Sequence, residues 1–256
     1  MKQGKTVMTG NIVTLMRALQ ALTERAASHR EEGMGILYGN PGEGKTTAIS
    51  HAINQVRGIY VRANVTLTVS TLLGLLCREL MVPPARSRGK MLEQVAQELA
   101  MDPRPIVIDE ADYLCRPGRA SRDMLDALRD LYDLARIPIL LVGLPDDEMV
   151  RLLRPAQEGP LARFSRRITE RVHFRGLHIV DAQKIAGELC EVPIEGALGA
   201  GQRAGDVAPA GTLVERLHAD AGGNVGRLVV ALGEAEKLAV ANGLEAITLD
   251  DWNARS

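Results

Sequence analysis

The chain lacks any apolar run near the ~18 residues that a membrane-spanning helix requires, so a membrane protein is not expected. Its first residues, Met1-Lys2-Gln3-Gly4-Lys5-Thr6, lack the apolar core of a secretory signal, and export is not expected either. Cysteine is scarce. Cys77, Cys115 and Cys190 are odd in number, widely spaced and without a C-x-x-C pair. That argues against a disulfide framework or a zinc site and fits reduced, packed thiols in a cytoplasmic protein. An excess of one charge is also missing: 31 basic side chains face 32 acidic ones, a net charge of −1. No global field therefore draws the chain to nucleic acid. Internal repeats and low-complexity tracts are absent. What is left, 256 residues with 46% hydrophobic and 25% charged, suffices for one large α/β domain, or such a domain with a small helical lid.

One string then dominates. Residues 39–46 read Gly-Asn-Pro-Gly-Glu-Gly-Lys-Thr, a complete G-x-x-x-x-G-K-[ST] phosphate-binding loop. The apolar run Met34–Tyr38 before it suits a buried strand, and Thr47–Ile53 after it suits the first turns of a helix. Gly39, Gly42 and Gly44 allow backbone angles closed to other residues and let N–H groups approach phosphate oxygens. The helix adds its positive N-terminal end. Candidate nucleotide contacts are therefore Gly39, Asn40, Pro41, Gly42, Glu43, Gly44, Lys45, Thr46 and Thr47. Lys45 is expected on the β- and γ-phosphates and the Thr46 hydroxyl on Mg²⁺.

Around this loop the periodicity alternates. Ile12, Leu15, Met16, Leu19 and Leu22 predict an amphipathic helix over 11–31, capped by Asn11 or Thr9. Strands are expected at 34–38, 58–63, 106–108, 137–143 and 171–174, and helices at 70–81, 90–101 and 121–135, with a loop at 83–89. Strands separated by helices imply a parallel five-stranded sheet flanked on both faces. From 177 the pattern is all-helical, interrupted by a Gly- and Ala-rich loop at 195–211. The expected division is an α/β nucleotide-binding domain over 1–176 and a helical lid over 177–256.

Ile106-Val107-Ile108 ends in Asp109-Glu110. Sixty-odd residues past a phosphate loop, such a pair reads as a magnesium ligand, Asp109, followed by a general base, Glu110. Basic residues are mostly arginine and cluster over 151–178, where Arg151, Arg154, Arg163, Arg166, Arg167, Arg171 and Arg175 face only Glu158 and Glu170. Any one of them is as compatible with a solvated surface as with a binding face.

Two segments extend the nucleotide motifs. Gly222-Gly223-Asn224-Val225-Gly226-Arg227 puts an arginine at the start of a lid helix, and Ser165-Arg166-Arg167-Ile168 precedes the last strand. With them the chain resembles AAA+ ATPases, which implies a P-loop AAA+ fold, ATP and Mg²⁺ as cofactors, and Arg227 as the sensor-two residue. It also implies Arg167, or failing it Arg166, as a finger entering a neighbouring subunit's site, so that ATP bridges a homo-oligomer. Within that superfamily the chain resembles the target-selection ATPases of DNA transposition, the phage Mu B protein, TnsC and their relatives. The likeness is carried by residues 33–48, Thr71–Leu80, Ile108–Asp112 and Leu141–Pro145.

That resemblance implies an ATPase that assembles on duplex DNA as a ring or filament, with little sequence preference, and recruits or stimulates a transposase. A replication initiator or helicase loader, and a regulatory ATPase acting only through protein contacts, are the alternatives. Gly143-Leu144-Pro145 offers no Asn or Thr as a polar sensor one, so hydrolysis is expected to be slow and switch-like. The first helix begins near residue 11, so neither a counterpart of the separate N-terminal helix-turn-helix domain of the phage Mu B protein nor sequence reading by such a domain is expected. Candidate DNA contacts are Arg86, Arg88 and Lys90 on one loop and Arg116, Arg119 and Arg122 on another.

Overall fold

The computed structural model describes residues 2, 5–28, 32–116, 118–145, 164–199 and 211–255. Contacts divide the chain into two compact units, one of residues 14–40 and 48–174, the other of residues 1–13, 41–47 and 175–256. The division is therefore not a single cut near 176. The N-terminal residues and most of the phosphate loop group with the C-terminal helices.

In the first unit, five strands form one parallel sheet in the order β2-β3-β4-β1-β5. They are β1 (Met34–Tyr38), β2 (Ile59–Arg62), β3 (Ile106–Asp109), β4 (Ile139–Gly143) and β5 (Ile168–His173). β1, β3 and β4 are inner strands and read as unbroken apolar runs because both their faces are covered. One face, carrying Met34, Ile36, Ile108 and Leu141, packs on the apolar sides of α3 (Val69–Glu79), α4 (Arg88–Met101) and α6 (Arg119–Ala135). Removing a side chain such as Leu128, fully buried in this cluster, would cost about 2–5 kcal/mol.

The opposite face takes α1 (Gly10–Ser28). A Cβ at Gly35 would lie 2.8 Å from a Leu22 methyl of this helix and 3.2 Å from one of Leu140, so a larger residue here would force those side chains to shift. Arg25 pairs with Glu170 on β5 at 2.8 Å and fixes the same contact at its edge. α2 (Lys45–Val56) continues directly from the phosphate loop, and the short α5 (Asp112–Cys115) follows β3.

Element ends follow local chemistry. Thr68 and Ser87 cap α3 and α4 by accepting backbone N–H bonds, and α3 stops where Met81 turns left-handed at φ +60°. β5 begins at Ile168, three residues before the expected start, because Ile168 already pairs with Met34.

The second unit is helical: α7 (Ile179–Leu189), α8 (Leu213–Ala221), α9 (Val225–Ala241) and α10 (Leu249–Asn253). Its core gathers Ile185, Leu217, Leu232 and Trp252. The buried Glu236 on α9 accepts the N–H groups of Glu191 and Val192 and so holds the chain leaving α7. Of the 195–211 loop, Ala200–Ala210 lie outside the described residues; just before it, Ile194 bridges to Ile247. All three cysteines are buried, free thiols. Among the described residues no helix is long and apolar enough to cross a membrane.

Candidate functional site

The phosphate loop runs from the end of β1 to the start of α2, as its spacing predicts. Gly42 and Gly44 adopt φ +81° and +82°, the left-handed region that the motif's glycines are there to permit. The N–H of Gly39 donates to Gly143 at the end of β4, anchoring the loop's first residue to the sheet. Lys45 is the first residue of α2 and Thr46 the second, so both stand at the positive end of a 12-residue helix.

Within the helical unit the loop borders a pocket of about 130 Å³. Its apolar wall is Val7, Ile12, Ile185, Leu189, Val225 and Val229, and it opens beside Gly44 and Thr47. An apolar slot next to a phosphate cradle suits the flat face of a nucleoside base. The N-terminal residues that close it are pinned: the Gly10 N–H donates to Asp181 at 2.8 Å, and the Asn11 amide donates to the carbonyl of Arg175 at 3.0 Å. This pocket was not read from the sequence. Its only trace there is apolar Val7 ahead of the first helix and the i, i+4 pair Val225 and Val229.

On the lid, Asn224 caps α9 by accepting the Arg227 N–H at 3.0 Å and donates its amide to the Pro41 carbonyl of the phosphate loop at 2.9 Å. Arg227 itself is exposed in the first turn of α9.

In the sheet unit, Asp109 is buried at the end of β3 and Glu110 follows with φ +54°. Asp109 accepts the Glu110 N–H at 2.9 Å and the Tyr60 hydroxyl at 3.1 Å. Burial, with the Asp109 carboxylate alongside, pushes the Tyr60 phenol up to about 12, so Tyr60 stays a neutral donor to that acid. Arg62, two residues further along β2, holds the Glu110 carboxylate at 2.6 Å. The candidate base is thus engaged by a cation of its own chain. Neither Tyr60 nor Arg62 was read as a site residue; both face β3 only through strand pairing.

Glu110→Gln should keep nucleotide affinity and slow hydrolysis by about 10²-fold or more, since general-base catalysis contributes that much. Arg62→Ala should instead raise basal hydrolysis only slightly, because an exposed ion pair is weak. Steady-state phosphate release measures both. Wild-type turnover in Glu110→Gln would exclude it as the base.

The two finger candidates separate cleanly. Arg167 is held by Glu32 at 2.9 Å and Asp133 at 2.8 Å, with Arg136 also 3.9 Å from Glu32. Arg166 is exposed in the turn before β5. That turn lies at the N-terminal edge of the sheet, where Ile168 pairs with Met34, whereas Gly39 leaves the C-terminal edge beyond Tyr38. Five strand residues at ~3.3 Å each put roughly 15 Å of sheet between the two edges. Arg166 therefore stands at the opposite edge of the sheet from Gly39, where the phosphate loop begins.

Residues 28–151 match the sequence profile of a family described as an AAA domain. The fold is the P-loop AAA+ fold. The chain superposes on Cdc6p from Pyrobaculum aerophilum with TM-score 0.61 at 16% identity, covering 98% of this chain and 68% of that one. It superposes on the Orc1 protein of Aeropyrum pernix, solved in complex with DNA, with TM-score 0.59 at 20% identity, covering 98% of this chain and 66% of that one. No curated protein matches the chain significantly. An AAA domain implies a nucleotide-hydrolysing P-loop ATPase, a class that uses ATP and Mg²⁺. The residues fit those groups: positive-φ glycines for phosphate, an apolar slot for the base, and the Thr46 hydroxyl in the first turn of α2 for a cation that keeps most of its waters.

The remaining candidates lie on the surface of the sheet unit. The loop directly after β2 is Asn64–Thr68, with no basic residue; Arg86, Arg88 and Lys90 come only after α3. All three are exposed, but Arg88 lines a cleft shared with Asp123, Asp126 and Asp130 of α6. Arg116, Arg119 and Arg122 are exposed but do not share a loop: Arg116 ends α5, and Arg119 and Arg122 stand in the first turn of α6; Arg88 and Lys90 likewise open α4. Arg116 stacks over the Tyr113 ring at 4.2 Å, and Arg119 lies 3.9 Å from Asp123. Arg151, Arg154 and Arg163 lie outside the described residues.

Proposed function

We propose that this AAA+ chain is an ATP-gated switch that assembles through its nucleotide sites and binds duplex DNA with little sequence preference. The observation that carries the reading is the placement of the candidate residues on the sheet. Gly39 and Glu110 follow the C-terminal ends of β1 and β3, and the exposed Arg166 stands at the N-terminal edge, before β5. Hydrolysis then needs a neighbouring subunit, and ATP becomes a bridge between copies. Arg227 senses the γ-phosphate from the lid, and Glu110, released from Arg62, polarises the attacking water. With no polar side chain at Gly143-Leu144-Pro145, turnover is slow.

Two outputs of that assembly have support. The motif resemblance favours delivery of target DNA to a transposase or other mobile-element protein. The likeness to Cdc6p and to a DNA-bound Orc1 favours replication initiation or loading at least as well. A pull-down of the ATP-bound protein, probed for a transposase or for a replicative helicase, separates them.

Of the two basic groups, Arg116, Arg119 and Arg122 form the better DNA face, because Asp126 and Asp130 as well as Asp123 line the cleft beside Arg88, whereas Asp123 alone pairs with Arg119. Neutralising these three together should weaken binding to every sequence alike and flatten the log–log salt slope by up to about 2.7 per subunit. ATP affinity should stay unchanged. Fluorescence anisotropy of labelled duplexes, with and without ATP across a salt series, checks this. DNA binding absent in ATP at low salt would leave only the protein-contact reading.

A further inference from the structure

The turn between α8 and α9 is tied down on both sides. The Gly223 carbonyl accepts the Leu177 N–H at 2.7 Å, and the Leu177 carbonyl is 2.6 Å from the His218 ring nitrogen Nε2. From this fixed turn Asn224 reaches in two directions. Its Oδ1 accepts the N–H of Arg227, and its Nδ2 donates to the Pro41 carbonyl. Beside it the Gly226 N–H donates to the Gly42 carbonyl at 3.3 Å. The fit is tight: a Cβ at Gly42 would sit 2.2 Å from Asn224 Nδ2 and 2.5 Å from Oδ1. Gly42 is thus required twice, for its φ of +81° and for the space the Asn224 amide fills.

A primary amide carries one donor group and one acceptor at this spacing; a carboxylate lacks the donor and a hydroxyl lacks the reach. The same side chain therefore caps the helix that presents Arg227 and grips the loop that is to hold the phosphates. We propose that Asn224 is a positioning residue that couples the phosphate loop to Arg227, so that the loop's shape sets where the arginine stands. The proposal rests on the reading of Arg227 as the γ-phosphate sensor. Coupling of this kind is reciprocal: an Arg227 drawn onto a γ-phosphate pulls the cap, and through it the Pro41 carbonyl, into the ATP-bound shape.

Serine caps a helix about as well as asparagine, so Asn224→Ser keeps α9 capped while removing the bond to Pro41. Four full-length proteins, wild type, Asn224→Ser, Arg227→Ala and the double variant, are titrated with fluorescent ATP and ADP analogues in Mg²⁺. Their nucleotide-free melting temperatures are measured alongside. Arg227→Ala should lose about tenfold in ATP affinity and little in ADP affinity, an effect in the usual range of site-to-site coupling. Asn224→Ser should show the same ATP-selective loss at an unchanged melting temperature, and the double variant should lose no more than either single one. Equal losses for ATP and ADP, multiplying losses in the double variant, or no loss in Asn224→Ser would overturn the coupling. A fall in melting temperature that accounts for the affinity change would overturn it too. Absent ATP binding in the wild type would instead remove the nucleotide-site reading itself.

Discussion

Lys45→Ala is expected to abolish ATP binding in a protein that still folds. Lys45 opens α2, where alanine is at least as good a helix former, so the backbone loses nothing. Its charge is another matter. A cation about 4 Å from a phosphate is worth about 4 kcal/mol at the effective dielectric near a protein surface, a loss of roughly three orders of magnitude in affinity. Titration with a fluorescent ATP analogue and a circular-dichroism melt test the two halves separately. A folded Lys45→Ala protein with wild-type affinity would remove the loop from the nucleotide site.

Arg166→Ala should keep ATP affinity and lose turnover by about 10³-fold, the lower range for arginine fingers, with ATP-driven assembly weakened as well. Mixing Arg166→Ala with Lys45→Ala should restore part of the turnover. The mixed interface pairs an intact pocket on one subunit with an intact finger on the other. Arg167→Ala gives the contrast. It strands Glu32, half-buried, and Asp133, exposed, which share this guanidinium, and should lower stability by about 1 kcal/mol. Sedimentation in ATP and a thermal melt distinguish a finger from a structural tie. If neither variant changes ATP-driven assembly, the bridging model fails. If Arg167→Ala alone kills turnover at unchanged stability, Arg167 and not Arg166 is the finger.

The contrast between those two arginines shows what a sequence can and cannot disclose. The phosphate loop and the acids after β3 were legible because each is a short string whose geometry is built by its own residues. The parallel sheet was legible because inner strands read as apolar runs. Arg167 was not, because its partners lie 135 and 34 residues away and no local spacing announces them. The apolar pocket beside the phosphate loop was hidden for the same reason: it joins residues near the N-terminus to α7 and α9. Tyr60 and Arg62 come into play only through the register of β2 on β3. The start of β5 was placed late, since Thr169 and Glu170 look polar in sequence, yet Thr169 bonds the Glu32 carbonyl at 2.7 Å and Glu170 takes Arg25.

Trp252 gives the molecule a built-in optical label. It is the sole tryptophan of the chain and is buried in the core of the helical unit, with Arg255 over its ring. The four tyrosines, Tyr38, Tyr60, Tyr113 and Tyr132, all belong to the sheet unit. Emission excited at the red edge, where only indole absorbs, therefore follows the lid alone. Near-ultraviolet tyrosine signals follow the sheet alone. Unfolding curves recorded in the two bands will coincide if the units melt together and part company if they do not. Adding ATP should then shift the indole curve without any dye attached.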